Sequence, residues 1–488
     1  MILSKSKDKI RVSFIGNNAT SVAGSMTLIT WGKPQRSILV EAGLVQGEKS
    51  LLGEYQANNA NFKFKPKNLD YVFMSDNHAD HRLLFPLVVK RGFTGKAFVP
   101  QGFTDIFKPM ALDSANIMER NALDLTKKMK KNFPPIYENQ DVYNAIDKLS
   151  ECPFNKKIEI DNEVTVEFIP AGHTIHSASI VLYIKNGNTT RKIAFTGDMG
   201  NIAMPQLFTN KFQPIQSANL LVSETTYADT KRSANGKDRE KDIEKIKSVV
   251  YDYAIDGKGG QLLFPTFSFM RTQVILSVLY DLFYEDEKFT CPIYVASPLA
   301  CKICDIFDEH LEGVDAEKWK MIRGWSAVHY IKDFDTLEGM VNKHQKDGTS
   351  ALFLAASRFM VRGYSTFLAE KFLPSAKNIL VFCGYATPTS LAGKIKQKKT
   401  KTVSINGKSV PCRANVINLL SFSSHIQHDE LLKLLSGGYG QASYEKIALV
   451  HGDFDGKVKF AEELKKEISK RSRTDKVIIV NKSTEILL

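Results

Sequence analysis

No stretch of the 488-residue chain approaches the ~20 consecutive apolar residues that a membrane-spanning helix needs. Its first residues, Met1–Lys7, lack the apolar core of a secretory signal. A cytoplasmic protein with no membrane partner is therefore expected. The six cysteines, at 152, 291, 301, 304, 383 and 412, follow no framework spacing, which argues against a disulfide scaffold and for reduced thiols. Cys301 and Cys304 form a lone C-x-x-C within a predicted helix and read as ordinary helix residues. There is no internal repeat and no low-complexity tract, which excludes solenoids and compositionally driven disorder. What is present is a globular composition, 43% apolar and 24% charged, in a chain long enough for two domains. The net charge of +13 favours an anionic partner, nucleic acid being the commonest, against the plainer reading of a solvated basic surface.

Along the first part of the chain, Ile10–Ile15, Met26–Trp31, Ser37–Glu41 and Asp70–Met74 read as strands, the first three of an antiparallel sheet. Ala111–Met129 reads as a helix. Val164–Ile169, Ile180–Ile184 and Ile193–Thr196 return to strands. From about Leu220 the rhythm becomes strand–helix: helix Asp238–Ile255, strand Gln261–Phe264, helix Arg271–Phe283 and strand Ile379–Cys383. That alternation predicts a parallel sheet with covered faces, a different domain from the first. Near Asn415 the chain is expected to return to the first domain, with strands Val416–Leu420, Ile447–His451 and Val477–Val480. The divisions are placed at 1–215, 216–405 and 406–488.

Residues 75–81 read Ser-Asp-Asn-His-Ala-Asp-His. Two aspartates and two histidines directly after a strand are poor core residues, and they are the donors that dinuclear hydrolytic zinc sites use. The run resembles the H-x-H-x-D-H signature of the metallo-β-lactamase superfamily, with Asp76 in place of the first histidine. Other segments resemble that family in order: Val22–Ser25, Glu41–Gly47, Ala171–Ala178, Phe195–Gly200 and Val450–Gly452. The resemblance implies two divalent ions, zinc expected. One would be held by His78, His173 and Asp198, with Asp76 either completing the set or falling short of the ion, the other by Asp80, His81, Asp198 and His451. Such a pair clamps a phosphate. His176, His310, His329 and His344 read as surface or packing residues, and His428 as exposed at a helix start.

The stretch between Asp198 and His451 is similar to the β-CASP insert of the family's nucleic-acid branch. Glu224-Thr-Thr-Tyr227, Gly259-Gly260, Pro265–Phe269, Arg271-Thr-Gln273, Ser297–Ala300, Gly384-Tyr385 and Phe422-Ser-Ser-His425 carry that likeness. It implies an α/β fold: a metallo-β-lactamase αββα sandwich interrupted by a β-CASP domain on a parallel sheet. It also implies a ribonuclease, with Asp80, Glu224 and His425 catalytic. His425 would protonate the leaving oxygen and Glu224 would orient its ring. Ser357, Arg358 and Arg362, with Lys398 and Lys399 in a lysine-rich segment, are candidate phosphate contacts, the lysines' plainer reading being a solvated connection. Single-stranded RNA is the expected partner, and similar proteins leave room for a homodimer.

Departures accompany the likeness. Asp76 replaces a histidine, which points to a weaker site or one that takes Mn²⁺. Glu41 replaces an aspartate that braces the metal loop. Ala296, Met270 and Arg358-Phe359 break the insert's pattern. No 5′-monophosphate pocket is legible around 355–363, which favours an endonuclease, or an exonuclease with a different end preference. The competing readings are a catalytically weak β-CASP protein that binds RNA or a partner nuclease, and a small-molecule hydrolase.

Overall fold

A computed structural model of the chain describes all residues except 1–8, 49, 203–206, 231–236, 256–258, 358, 361–362, 385, 387–389, 399 and 441. The chain divides into two units, one of Met1–Ala234 with Ser424–Leu488, the other of Asn235–Ser423. Among the described residues no helix is long and apolar enough to cross a membrane.

The first unit contains two seven-stranded sheets. One runs in the order Glu485–Leu487, Arg11–Phe14, Thr27–Trp31, Arg36–Val40, Tyr71–Phe73, Lys96–Pro100, Leu149–Cys152. Gly32, at φ 73°, makes the tight reversal that pairs Thr27–Trp31 with Arg36–Val40 antiparallel. Tyr71–Phe73 instead pairs parallel to its neighbours, as do the two strands beyond it, because intervening helices carry the chain back each time. The other sheet runs Lys476–Ile479, Lys446–Val450, Leu220–Glu224, Thr189–Phe195, Ala178–Asn186, Val164–Pro170, Lys157–Glu159. The strand Val164–Pro170 shows why: alternate residues are buried, and Val164, Val166 and Phe168 enter a core shared with Val12, Phe14, Ile29 and Ile38 of the first sheet. Each such side chain contributes about 1.5–3 kcal/mol on burial.

Helices cover the outer faces. Phe103, Phe107, Ala111 and Ala115 pack on Leu39, Val72 and Val99 of the first sheet. Their helix runs Phe103–Met129, about two turns more than the sequence pattern indicated, because its first turns bury aromatic side chains while carrying Pro109. On the second sheet, Leu431 and Leu434 of helix His428–Leu435 and Phe460 and Leu464 of helix Phe454–Lys470 cover Val181, Leu221 and Ile447.

The second unit holds a six-stranded parallel sheet in the order Val328–Ile331, Ile293–Ala296, Ala351–Ala355, Gln261–Pro265, Ile379–Cys383, Asn415–Leu419. Strands such as Ala351–Ala355 and Ile379–Cys383 are buried at every position, as expected of a sheet covered on both faces. Asn415–Leu419 departs from expectation. It pairs with Ile379–Cys383 along its whole length and closes this sheet rather than returning to the first. Ser297 caps helix Pro298–His310 by accepting the Ala300 N–H, with proline at the first position. Cys301 and Cys304 are buried in that helix, and no cysteine is disulfide-bonded.

Candidate metal centre

Strand ends in the first unit deliver the chemistry. Tyr71–Phe73 runs into the 75–81 segment, Val164–Pro170 precedes His173, Thr189–Phe195 precedes Asp198, Leu220–Glu224 ends on Glu224 and Lys446–Val450 precedes His451. Donor atoms of Asp76, His78 and His173 lie within 4.8 Å of one another, as do those of Asp80, His81 and His451. Asp198 joins the two groups. Its Oδ2 is 3.2 Å from His81 Nε2 and 3.8 Å from His173 Nε2, and its Oδ1 is 3.4 Å from His451 Nδ1. His451 Nε2 is 3.4 Å from Asp80 Oδ2.

Backbone conformation makes this convergence possible. Glu41 and His451 both take left-handed backbone, at φ 64° and 52°. A Cβ on Gly43 would stand 1.6 Å from the Asp80 carbonyl oxygen. Its bareness lets the 42–44 segment donate hydrogen bonds to the 75–81 segment, from Ala42 N–H to the His81 carbonyl and from Leu44 N–H to the Ala79 carbonyl. Gly43→Ala is expected to force these segments apart, lowering stability by about 1–3 kcal/mol and weakening zinc uptake. Thermal melts and a zinc titration check this.

Glu41 is buried and accepts the Ser75 N–H at 3.2 Å, with Oε1 3.6 Å from His81 Nδ1. It thereby links the start of the 75–81 segment to its end. On the opposite side, Glu224 Oε2 lies 3.0 Å from His425 Nδ1, and His425 Nε2 is 3.9 Å from Asp198 Oδ2. Burial works against charge on the His425 ring, but Glu224 and then Asp198 outweigh it and push its pKa up to about 10.

The donor set fits divalent cations. Glu41, Asp76, Asp198 and Glu224 are all buried, and buried carboxylates are costly without compensating cations. Both ring nitrogens of His81, Nδ1 of His173 and Oδ1 of Asp198 are buried without a hydrogen-bond partner among the described residues. A cavity of about 30 Å³, enough for a water or two, lies among Ser25, Glu41, His81, Asp198 and Glu224.

Ser357 and Lys398 belong to the second unit and to none of these clusters. Arg358, Arg362 and Lys399, as well as Tyr385 of the Gly-Tyr segment, lie outside the described residues. His428 begins its helix as expected but is buried, not exposed: Nδ1 meets the Ala228 carbonyl at 2.5 Å and Nε2 lies 3.1 Å from Glu463 Oε2. His344 is a packing residue, with Nε2 2.9 Å from the Tyr294 hydroxyl. Sequence reasoning missed Thr174, whose hydroxyl donates to Asp76 at 2.8 Å, and Thr226, whose hydroxyl is 3.0 Å from His451 Nδ1. Hydroxyl residues are too common beside ligands to single out. It also missed Arg82, wholly buried directly after the Asp80-His81 pair. A cation followed by Leu83, Leu84 and Phe85 was the signal.

A mixed α/β fold of several sheets with histidine and aspartate donors gathered at strand ends has the makings of a metallo-hydrolase. A Beta-Casp domain family matches residues 272–395, and a Zn-dependent metallo-hydrolase RNA specificity domain matches residues 409–478. The chain is similar to a ribonuclease of Thermus thermophilus, 26% identical over 448 residues, covering 89% of this chain and 91% of that protein. It is 24% identical over 474 residues to a transcription termination factor of Methanocaldococcus jannaschii, covering 95% of this chain and 70% of the relative. An endoribonuclease of Schizosaccharomyces pombe is 24% identical over 400 residues, 80% of this chain but 48% of that longer protein. A crystal structure of a protein of unknown function from Enterococcus faecalis shares the fold at TM-score 0.52 and 11% identity, covering 98% of this chain and 100% of the other. The two matched domains and the ribonuclease relatives support the metallo-β-lactamase β-CASP family of RNA-processing nucleases.

Proposed function

We propose that the protein is a metal-dependent ribonuclease that hydrolyses RNA phosphodiester bonds, acting as an endonuclease. The observation that carries the reading is Asp198, a buried carboxylate within 4 Å of His81, His173, His425 and His451. The ribonuclease and endoribonuclease relatives and the matched RNA specificity domain support RNA as the substrate. In this reading the first unit is the αββα sandwich and the second is the inserted β-CASP domain.

His78 and His173 would hold one ion, Asp80, His81 and His451 the other, with Asp198 shared. Two ions so held supply Lewis-acid polarisation of the phosphoryl group and a water of lowered pKa. The chain's own work lies with His425. Glu224 faces Nδ1 and fixes the ring, so Nε2 is left to deliver a proton to the departing oxygen. Glu41 steadies His81 from behind, and the Thr226 hydroxyl steadies His451.

Metal content measured alongside cleavage of internally and end-labelled RNA tests the proposal. Two equivalents of metal and internal cuts that stop on chelation are expected. RNA binding without turnover by the metal-loaded protein would move the chain to the scaffold reading.

Backbone binding should be electrostatic. Lys398 and Lys401 are exposed, and the chain carries a net charge of +13. Affinity for single-stranded RNA is expected to fall log-linearly with salt. Changing Lys398, Lys399 and Lys401 to glutamine should flatten the slope by about 0.7 for each phosphate no longer neutralised. An unchanged slope in a fluorescence-anisotropy titration would return these lysines to the solvated surface.

A further inference from the structure

Asp76 occupies the position where the superfamily signature has its first histidine, and its surroundings explain what an aspartate does there. Both carboxylate oxygens are engaged by the protein's own donors. Oδ1 accepts the backbone N–H of His78 at 2.5 Å and lies 2.9 Å from Nδ1 of the same residue. Oδ2 accepts the Thr174 hydroxyl at 2.8 Å. The side chain is 1% exposed. Arg82, further along the same segment, is also wholly buried, lies over the rings of Phe103 and Phe107 and donates to the Asn77 carbonyl oxygen.

Two consequences follow from this arrangement. A carboxylate that already faces three local donors, against the about four its lone pairs can accept, has little left for an ion. A carboxylate held against one ring nitrogen of a histidine also selects the tautomer, placing the proton on that nitrogen and the lone pair on the other. Thr174 adjoins His173, so one carboxylate ties the His78 loop to the His173 loop. The two rings stand 5.1 Å apart, centroid to centroid.

We infer that Asp76 is a positioning residue rather than a metal ligand: it holds His78 with its proton on Nδ1 and, through the Thr174 hydroxyl, sets His78 and His173 to present their ligand nitrogens together. This rests on the metal-centre reading above and deepens it. The site built on His78, His173 and Asp198 is then left with three protein ligands and an open position, the arrangement of a catalytic metal. The site built on Asp80, His81, Asp198 and His451 has four. The two sites therefore differ in affinity, the three-ligand site being the weaker.

The test uses the full chain labelled with ¹⁵N-histidine and read in metal-free and zinc-loaded forms, together with zinc calorimetry. The proteins are wild type, Asp76→Asn, Asp76→Ala, Thr174→Val and the Asp76→Ala/Thr174→Val double variant. In wild type the His78 proton is expected on Nδ1 in both forms, and that signature is lost in Asp76→Ala. Asp76→Asn, whose carbonyl still accepts from His78, keeps two zinc ions. Asp76→Ala and Thr174→Val loosen the weaker site by about 10–100-fold, and the double variant is no worse than Asp76→Ala alone. A wild-type proton on Nε2 would overturn the inference. So would loss of one zinc in Asp76→Asn with no effect of Thr174→Val, the result a direct ligand gives. Failure of wild-type protein to take up any metal would sink the metal-centre reading instead, and the metal-free His78 tautomer would still decide the role of Asp76.

Discussion

Asp198→Asn is expected to abolish RNA hydrolysis, with a loss of at least about 10³-fold. That size corresponds to the several kcal/mol a metal-held site contributes at about 1.4 kcal/mol per factor of ten. The reason is its position between the two donor groups. Oδ2 faces His81 and His173 while Oδ1 faces His451, so neutralising this one side chain weakens both sites. His451→Ala should cost less metal, because Asp80, His81 and Asp198 remain on its side. The strands that carry these residues are held by their cores, Ile193 and Phe195 in one and Ala448 and Val450 in the other, and not by the site. Thermal melts of the metal-free variants should accordingly stay near that of wild type. Wild-type turnover and full metal content in purified Asp198→Asn would refute the assignment.

His425→Ala is expected to slow cleavage by about 10²–10⁴-fold, the usual size of an acid–base contribution, with metal content almost unchanged. The His425 donor atom lies within 4.8 Å of those of His173 and Asp198, but its Nδ1 is tied to Glu224 at 3.0 Å, which suits the ring to proton delivery more than to holding an ion. A substrate with a sulfur leaving group, which needs no proton, should recover part of the lost rate. Glu224→Gln should act in the same direction but more weakly, since the ring keeps a hydrogen-bonding neighbour and loses only the charge. Loss of zinc from His425→Ala, with no difference between oxygen and sulfur leaving groups, would assign His425 to the metal instead.

Much of the framework was legible beforehand for a simple reason: side-chain period reports burial. Val164–Pro170 alternates because one face is covered by the opposing sheet, and Ala351–Ala355 is apolar throughout because both faces are covered. Pairing partners were less legible. Tyr71–Phe73 has no feature that distinguishes a parallel from an antiparallel neighbour, and Asn415–Leu419 looks like any short strand, yet it closes the second unit's sheet. His428 shows the same limit at the scale of one side chain. Its helix position predicted exposure, but the Ala228 carbonyl and Glu463, distant in sequence, enclose it.

By itself the sequence determined which residues could do chemistry, because the Asp76–His81 run, His173, Asp198, Glu224, His425 and His451 stand in segments whose order and residue types are too specific to be packing. It also determined that the departures from the family pattern would matter, without saying how. Only the tertiary structure decided that Asp198 stands between the two donor groups, that Glu224 faces Nδ1 of His425, and that both oxygens of Asp76 are taken by His78 and Thr174. Most of these pairs join residues far apart in the chain, 201 positions in the case of Glu224 and His425. Residue type and local period carry no record of which distant strand end will arrive at which face, or of which lone pair another side chain will already have filled.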